Sequence, residues 1–128
     1  MKIRSSKRPA TVYVPKACGN REAPRAEQLR VTIEPLSVAE YETLRAAQLD
    51  KSDDAKALAC IIRDEIIGTR VVLVEGLEAE VERGSMSAGA WLVAAVSASN
   101  NAEHGVLLDE VLSAVLSQSV LDEGAAKN

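Results

Sequence analysis

Apolar and polar positions change rhythm several times along this chain, and each change marks an element. Thr11 to Val14 is β-branched and aromatic and runs into Pro15, which favours a strand ending there. Leu29, Val31 and Ile33 alternate with Arg30, Thr32 and Glu34, and a period of two marks a half-buried strand. Between them, Ala17 to Arg25 holds Gly19-Asn20 and Pro24 among charges and reads as a loop. The two strands predict a hairpin with a long loop. Such a hairpin is weak alone in water, so it must pack on helices or pair with another chain's edge.

From Ser37 the period lengthens. Ser37 and Glu40 form a capping box, in which each side chain can bond the other's backbone N–H. The helix it opens carries Val38, Tyr41, Leu44, Arg45 and Leu49 near helical spacing. Residues 50–54 break it and supply the next N-cap, with Asp53 and Asp54 at the positive end of the dipole. A second helix follows from Ala55, with Leu58, Ile61, Ile62 and Ile66 three to four apart and Glu65 as the exception. Within it, Cys60 reads as a small core residue.

Gly68 to Gly76 is ambiguous. Val71 to Val74 is wholly apolar, so propensity favours a buried strand, while continuity with the preceding helix favours a longer helix to Glu75. No turn signal stronger than Gly68 intervenes, and we read it as helix. Glu75 to Gly84 is acidic and turn-like. Ser85 or Ser87 caps a short helix carrying Trp91, Leu92, Ala95 and Val96, followed by a loop over 97–101. Asn100 is the expected cap of the last helix, from about Glu103 to about Val120. Leu108, Val111, Leu112, Val115 and Ser119 line one face of that helix, broadened by Leu107, Leu116 and Val120. Gly124 is expected to stop it.

These elements predict a mainly α fold in one domain of 128 residues. It divides into a basic extended arm or hairpin (1–36), a helical body (37–122) and a polar tail (123–128). Nearly half the residues are apolar, but Phe is absent and the aromatics are Tyr13, Tyr41 and Trp91 alone. The core must therefore be assembled from many small contacts. The scarcity of flat rings also argues against base-stacking recognition of single-stranded nucleic acid.

Charge is unevenly placed. Residues 1–30 hold eight basic and two acidic side chains, a net +6, leaving −10 on the remainder to reach the overall −4. The basic region has three readings: contact with nucleic acid or a membrane surface, contact with an acidic face of another copy or partner, or a solvated loop. No apolar run approaches the length that spans a bilayer, and the opening residues lack the apolar stretch of a secretion signal, so a cytoplasmic protein with reduced Cys18 and Cys60 is expected.

No reaction centre is visible, and no catalytic, cofactor or metal residue is expected. His104 is the one histidine and sits beside Gly105 at a helix start. No Cys/His pair has zinc spacing. Asp53 and Asp54 lack the pattern of a calcium loop and read as cap acids. No phosphate-cradling glycine motif occurs. Glu75, Glu78, Glu80 and Glu82 read as a solvated face. Trp91 is a core anchor or a binding hot spot. The stripe Leu108, Val111, Leu112 and Val115 is either an exposed partner-binding face or the inner face of a bundle, and we take it as the candidate contact face.

The order of segments resembles the tail assembly chaperones of long-tailed bacteriophages. The resemblance covers Tyr13 to Asn128. It rests on the opening Val12-Tyr13-Val14-Pro15, the helix entry Pro35-Leu36-Ser37-Val38-Ala39-Glu40, and the middle segment Val72 to Glu78. The endings Leu107-Leu108-Asp109-Glu110-Val111 and Ser119 to Gly124, then Lys127-Asn128, complete it. The chain departs at Leu77, where an aromatic is often expected, and in its lack of Phe. The resemblance implies a non-enzymatic, mostly helical, self-associating protein. Such proteins coat the long helical tape measure protein until tail tube subunits replace them, and are absent from the finished particle. It also implies a frameshifted longer form that recruits the tail tube protein, for which Lys127-Asn128 is compatible with a slippery run of adenines. Two other readings stand beside it: a structural virion component such as a small neck or tail-completion protein, and a nucleic-acid-binding regulator using residues 1–30. The regulator lacks any visible recognition-helix pattern.

Overall fold

The computed structural model describes residues 9–49 and 52–126. Residues 1–8, the break residues Asp50 and Lys51, and the ending Lys127-Asn128 lie outside the described residues, as does the side chain of Val120. The fold is mainly α. Strands β1 (Thr11–Tyr13), β2 (Arg30–Ile33) and β3 (Val71–Glu75) form one antiparallel sheet in the order β1-β2-β3. Helices α1 (Val38–Leu49), α2 (Asp53–Arg70), α3 (Ala88–Ser97) and α4 (Gly105–Ala126) make up the rest, with short 3-10 turns at Ala17–Glu22, Arg25–Glu27 and Ala102–His104.

The expected hairpin is present. Thr11 pairs with Ile33 and Tyr13 with Val31, so the alternation in β2 puts Val31 and Ile33 into the core and leaves Arg30 and Thr32 half-covered. The capping box forms as well: Ser37 N–H donates to Glu40 Oε1 at 3.1 Å, and Glu40 N–H returns to Ser37 Oγ at 3.3 Å.

The stretch from Gly68 corrects our helical reading. The helix ends at Arg70, and Val71 begins a strand with no residue between them. The register explains why the pattern misled. Ile33 pairs with Val71 but Thr32 pairs with Leu73, so a bulge skips Val72. Val72 and Leu73 consequently both face out while Val71 and Val74 are buried. That spacing of three is what a helix would show, and the bulge erased the period of two. What decides the conformation is the unpaired edge of β2, which β3 completes.

Close contacts tie the helices to this sheet. Gly89 sits where a Cβ would lie 1.9 Å from the Ile67 carbonyl oxygen, so α2 and α3 cross at backbone distance. Ser87 caps α3 by accepting from Ala90 N–H at 3.2 Å, while its hydroxyl donates to the Gly68 carbonyl at 3.0 Å. Gly76, at φ +75°, makes the turn out of β3 where a Cβ would lie 2.1 Å from the Gln28 carbonyl oxygen. Asn101, one residue beyond the expected Asn100, caps the turn before α4 through Oδ1, which accepts from Glu103 N–H at 3.0 Å. Gly124 does not stop α4, which continues to Ala126 through the segment expected to be a tail. Among the described residues no helix is long and apolar enough to cross a membrane.

Candidate functional site

Leu108, Val111, Leu112 and Val115 face inward. Each is at most 7% exposed, and they pack with Val31, Ile67 and Leu92 in the core that α4 shares with the sheet and the other helices. Ser119 continues the stripe, its hydroxyl donating to Val115 O and accepting from Leu36 N–H, both at 2.8 Å. The face expected to be available to a partner is therefore the hydrophobic centre of the molecule. A seam of this width packs on α2 and α3 and shares one core cluster with Val31 and Ile33 of the sheet, which one helix's periodicity does not reveal.

Apolar surface lies elsewhere. Full burial on α2 begins only at Ile66; before it, the described side chains of the helix are exposed or half-covered. This half stands clear of the layers that cover the other half. Cys60, expected in the core, is exposed for that reason, and Cys18 is also an exposed free thiol. Leu58 is 51% and Ile61 56% exposed, and Leu49, at the end of α1, is 70% exposed. Tyr41, Arg45 and Leu49 recur every four residues on one face of α1 and, with Leu116 of α4, line an open groove of about 250 Å³. The groove exists because α1 packs chiefly on α2 and leaves α4 beside it.

A larger cleft, of about 550 Å³, opens where the 3-10 turn at Ala17–Glu22, the loop after β3 and the end of α3 converge. Its apolar lining includes Leu29, Leu77, Val81, Val96 and Leu107, and its charged lining is Glu78 and Glu80. Trp91, half-buried against the core, holds one wall by donating its indole N–H to Val81 O at 2.7 Å. It is thus a structural anchor that fixes the acidic loop. His104 also lines the cleft, its Nδ1 2.5 Å from Ser99 Oγ, which in turn accepts from Asn101 N–H at 3.1 Å. Serine and histidine lie five residues apart within one turn, so the pair closes that turn.

Glu110 joins the hairpin to α4, a role that no local pattern around it signals. Its carboxylate accepts from the Tyr13 hydroxyl at 2.5 Å, Lys16 N–H at 2.7 Å and Ala17 N–H at 2.9 Å. Burial alone would raise its pKa. The bonds from Tyr13, Lys16 and Ala17, with the nearby Arg21 charge, outweigh burial and hold it below the ordinary carboxylate value. Burial and the same carboxylate push the Tyr13 phenol upward. Glu40 behaves like Glu110: burial opposes ionisation, but Ser37 and Arg70 lower its pKa. On the other flank of α4, Arg63 bridges Asp64 at 3.1 Å and Asp109 at 2.9 Å, fastening α2 to α4.

Among the described residues no three His, Cys, Asp or Glu side chains converge as metal ligands would. The fold and these surfaces define a small, mainly α protein with a three-stranded antiparallel sheet, exposed apolar side chains on its helices and an acid-rimmed cleft. No protein-family model, no curated protein and no solved structure matches the chain.

Proposed function

We propose that the protein is a non-enzymatic tail assembly chaperone of a long-tailed bacteriophage, which binds the helical tape measure protein and keeps it soluble while the tail is built. The observation that carries the reading is the uncovered apolar surface of α1 and α2, where Leu49, Leu58 and Ile61 are each more than half exposed. Large exposed apolar residues on a small protein mark a place for a partner. The groove between α1 and α4 accepts an amphipathic helix in the usual way, with Tyr41, Leu49 and Leu116 as its walls and Arg45 at its rim. Many copies, each making one such modest contact along a long helix, hold it by avidity. The contact face is thus moved from the inner face of α4 to the outer faces of α1 and α2.

Co-expression with the tape measure protein tests this. The expected result is a soluble complex holding several copies of this chain per tape measure protein. A tape measure protein that stays insoluble, with this chain eluting alone or being found in purified particles, overturns the reading in favour of a structural tail component.

A further inference from the structure

The cleft of about 550 Å³ plays no part in the tape measure reading, yet its walls are fixed in place. Apolar walls close on one another unless something holds them apart. The loop after β3 is held at its start by Gly76, which lies against the Gln28 carbonyl, and at Val81, whose carbonyl accepts from the Trp91 indole. The 3-10 turn at Ala17–Glu22 is tied back through Asn20. Its amide donates to Pro15 O at 2.8 Å and Leu29 O at 3.0 Å, and its Oδ1 accepts from Leu29 N–H at 2.7 Å. A further side is the turn that Ser99 and His104 close. A site formed in advance costs a ligand little ordering.

The lining is graded by depth. Leu29 and Leu107 are buried and form the floor, Leu77, Val81 and Val96 are half-buried on the sides, and Glu78 and Glu80 are exposed at the rim. Neither carboxylate has a cation or hydrogen-bond donor among the described residues, and no described Lys or Arg lines the cleft. Two uncompensated negative charges therefore stand over an apolar surface.

We propose that this cleft binds a small organic cation, a primary ammonium or guanidinium group carried on a hydrocarbon body. The hydrocarbon covers the floor and sides, and the cation lies against Glu78 and Glu80. The volume falls within the roughly 300–1,000 Å³ of small-molecule sites, which combine apolar walls with a few polar groups. Other ligand classes fit less well. An anion meets two like charges. A polyamine, charged along its whole length, sets cations against the apolar floor. For a metal ion, no three His, Cys, Asp or Glu side chains converge among the described residues. The cleft shares no residue with the α1–α4 groove, and neither Leu58 nor Ile61 lines it, so this site stands or fails separately from the tape measure reading.

Titration of the isotope-labelled full chain with octylguanidinium at low salt, followed by NMR, tests the proposal, with octanoate and spermidine as controls. Saturable binding is expected, with amide shifts centred on Leu77 to Val81, Val96 and His104. Each control should bind roughly tenfold more weakly or not at all, since octanoate has the wrong charge and spermidine no continuous hydrocarbon body. Glu78→Gln with Glu80→Gln keeps the apolar surface and removes both charges. It should weaken octylguanidinium binding about fivefold and remove the preference over octanoate. Ala95→Phe, which narrows the cleft from α3, should abolish binding. If that variant loses its helical circular dichroism, Ala79→Phe on the exposed loop takes its place. Four results would each overturn the proposal: no saturable binding, a control that binds as tightly, shifts centred on the α1–α4 groove, or unchanged binding by the double Gln variant.

Discussion

Glu110→Gln removes the charge that three donors share, and at the residue scale this is the most informative substitution. Hydrogen bonds to a charged group carry more than neutral ones, so the variant should lose about 1–3 kcal/mol in denaturant unfolding. The pH dependence has a defined sign. The folded-state pKa of Glu110 lies below its ordinary value of 4.5, as does that of Glu40. The stability each contributes is therefore fully present above about pH 4.5 and is lost as pH falls through the lowered folded value. Thermal melts of the wild type should fall steeply below that pH, and Glu110→Gln should flatten the fall. The capping box at Ser37 and Glu40 was legible in the sequence because its partners lie three residues apart. The Glu110 clasp was not, because its donors lie 93 to 97 residues away in the chain.

Elements with an unbroken period were legible for the same reason that they fold: β2 alternates, and α4 keeps one continuous apolar stripe. The strand at Val71–Glu75 was not, because the bulge opposite Thr32 and Ile33 removed its alternation. Nor could α4 alone say whether its stripe faced a partner or the core. Leu112 is 7% exposed, so Leu112→Glu would bury a charge without a partner; it should cost more than about 4 kcal/mol and abolish the helical circular dichroism. Retention of the folded signal would show that the stripe is accessible after all. The crossing of α2 and α3 gives a second test at this scale. Gly89→Ala forces a Cβ against the Ile67 carbonyl, and a backbone atom cannot swing aside as a side-chain tip would. A loss of roughly 1–3 kcal/mol is expected, read as a lower melting temperature.

For the whole molecule, the central claim is a division of labour between buried and uncovered apolar residues. The inner face of α4 builds the core, and in the proposed reading the outer surfaces of α1 and α2 meet the partner. Composition and charge said that such a chain is a small domain without visible reaction chemistry, but no single-element pattern could tell which half of α2 the rest of the fold would cover. The most direct measurement is co-purification of the tape measure protein with a variant carrying Leu49→Glu, Leu58→Glu and Ile61→Glu, alongside circular dichroism of the variant alone. All three residues are exposed, so the variant should keep the wild-type helical signal and melt within a few degrees of it, while recovering little or no soluble tape measure protein. A folded variant that holds the tape measure protein as well as the wild type does would contradict the account.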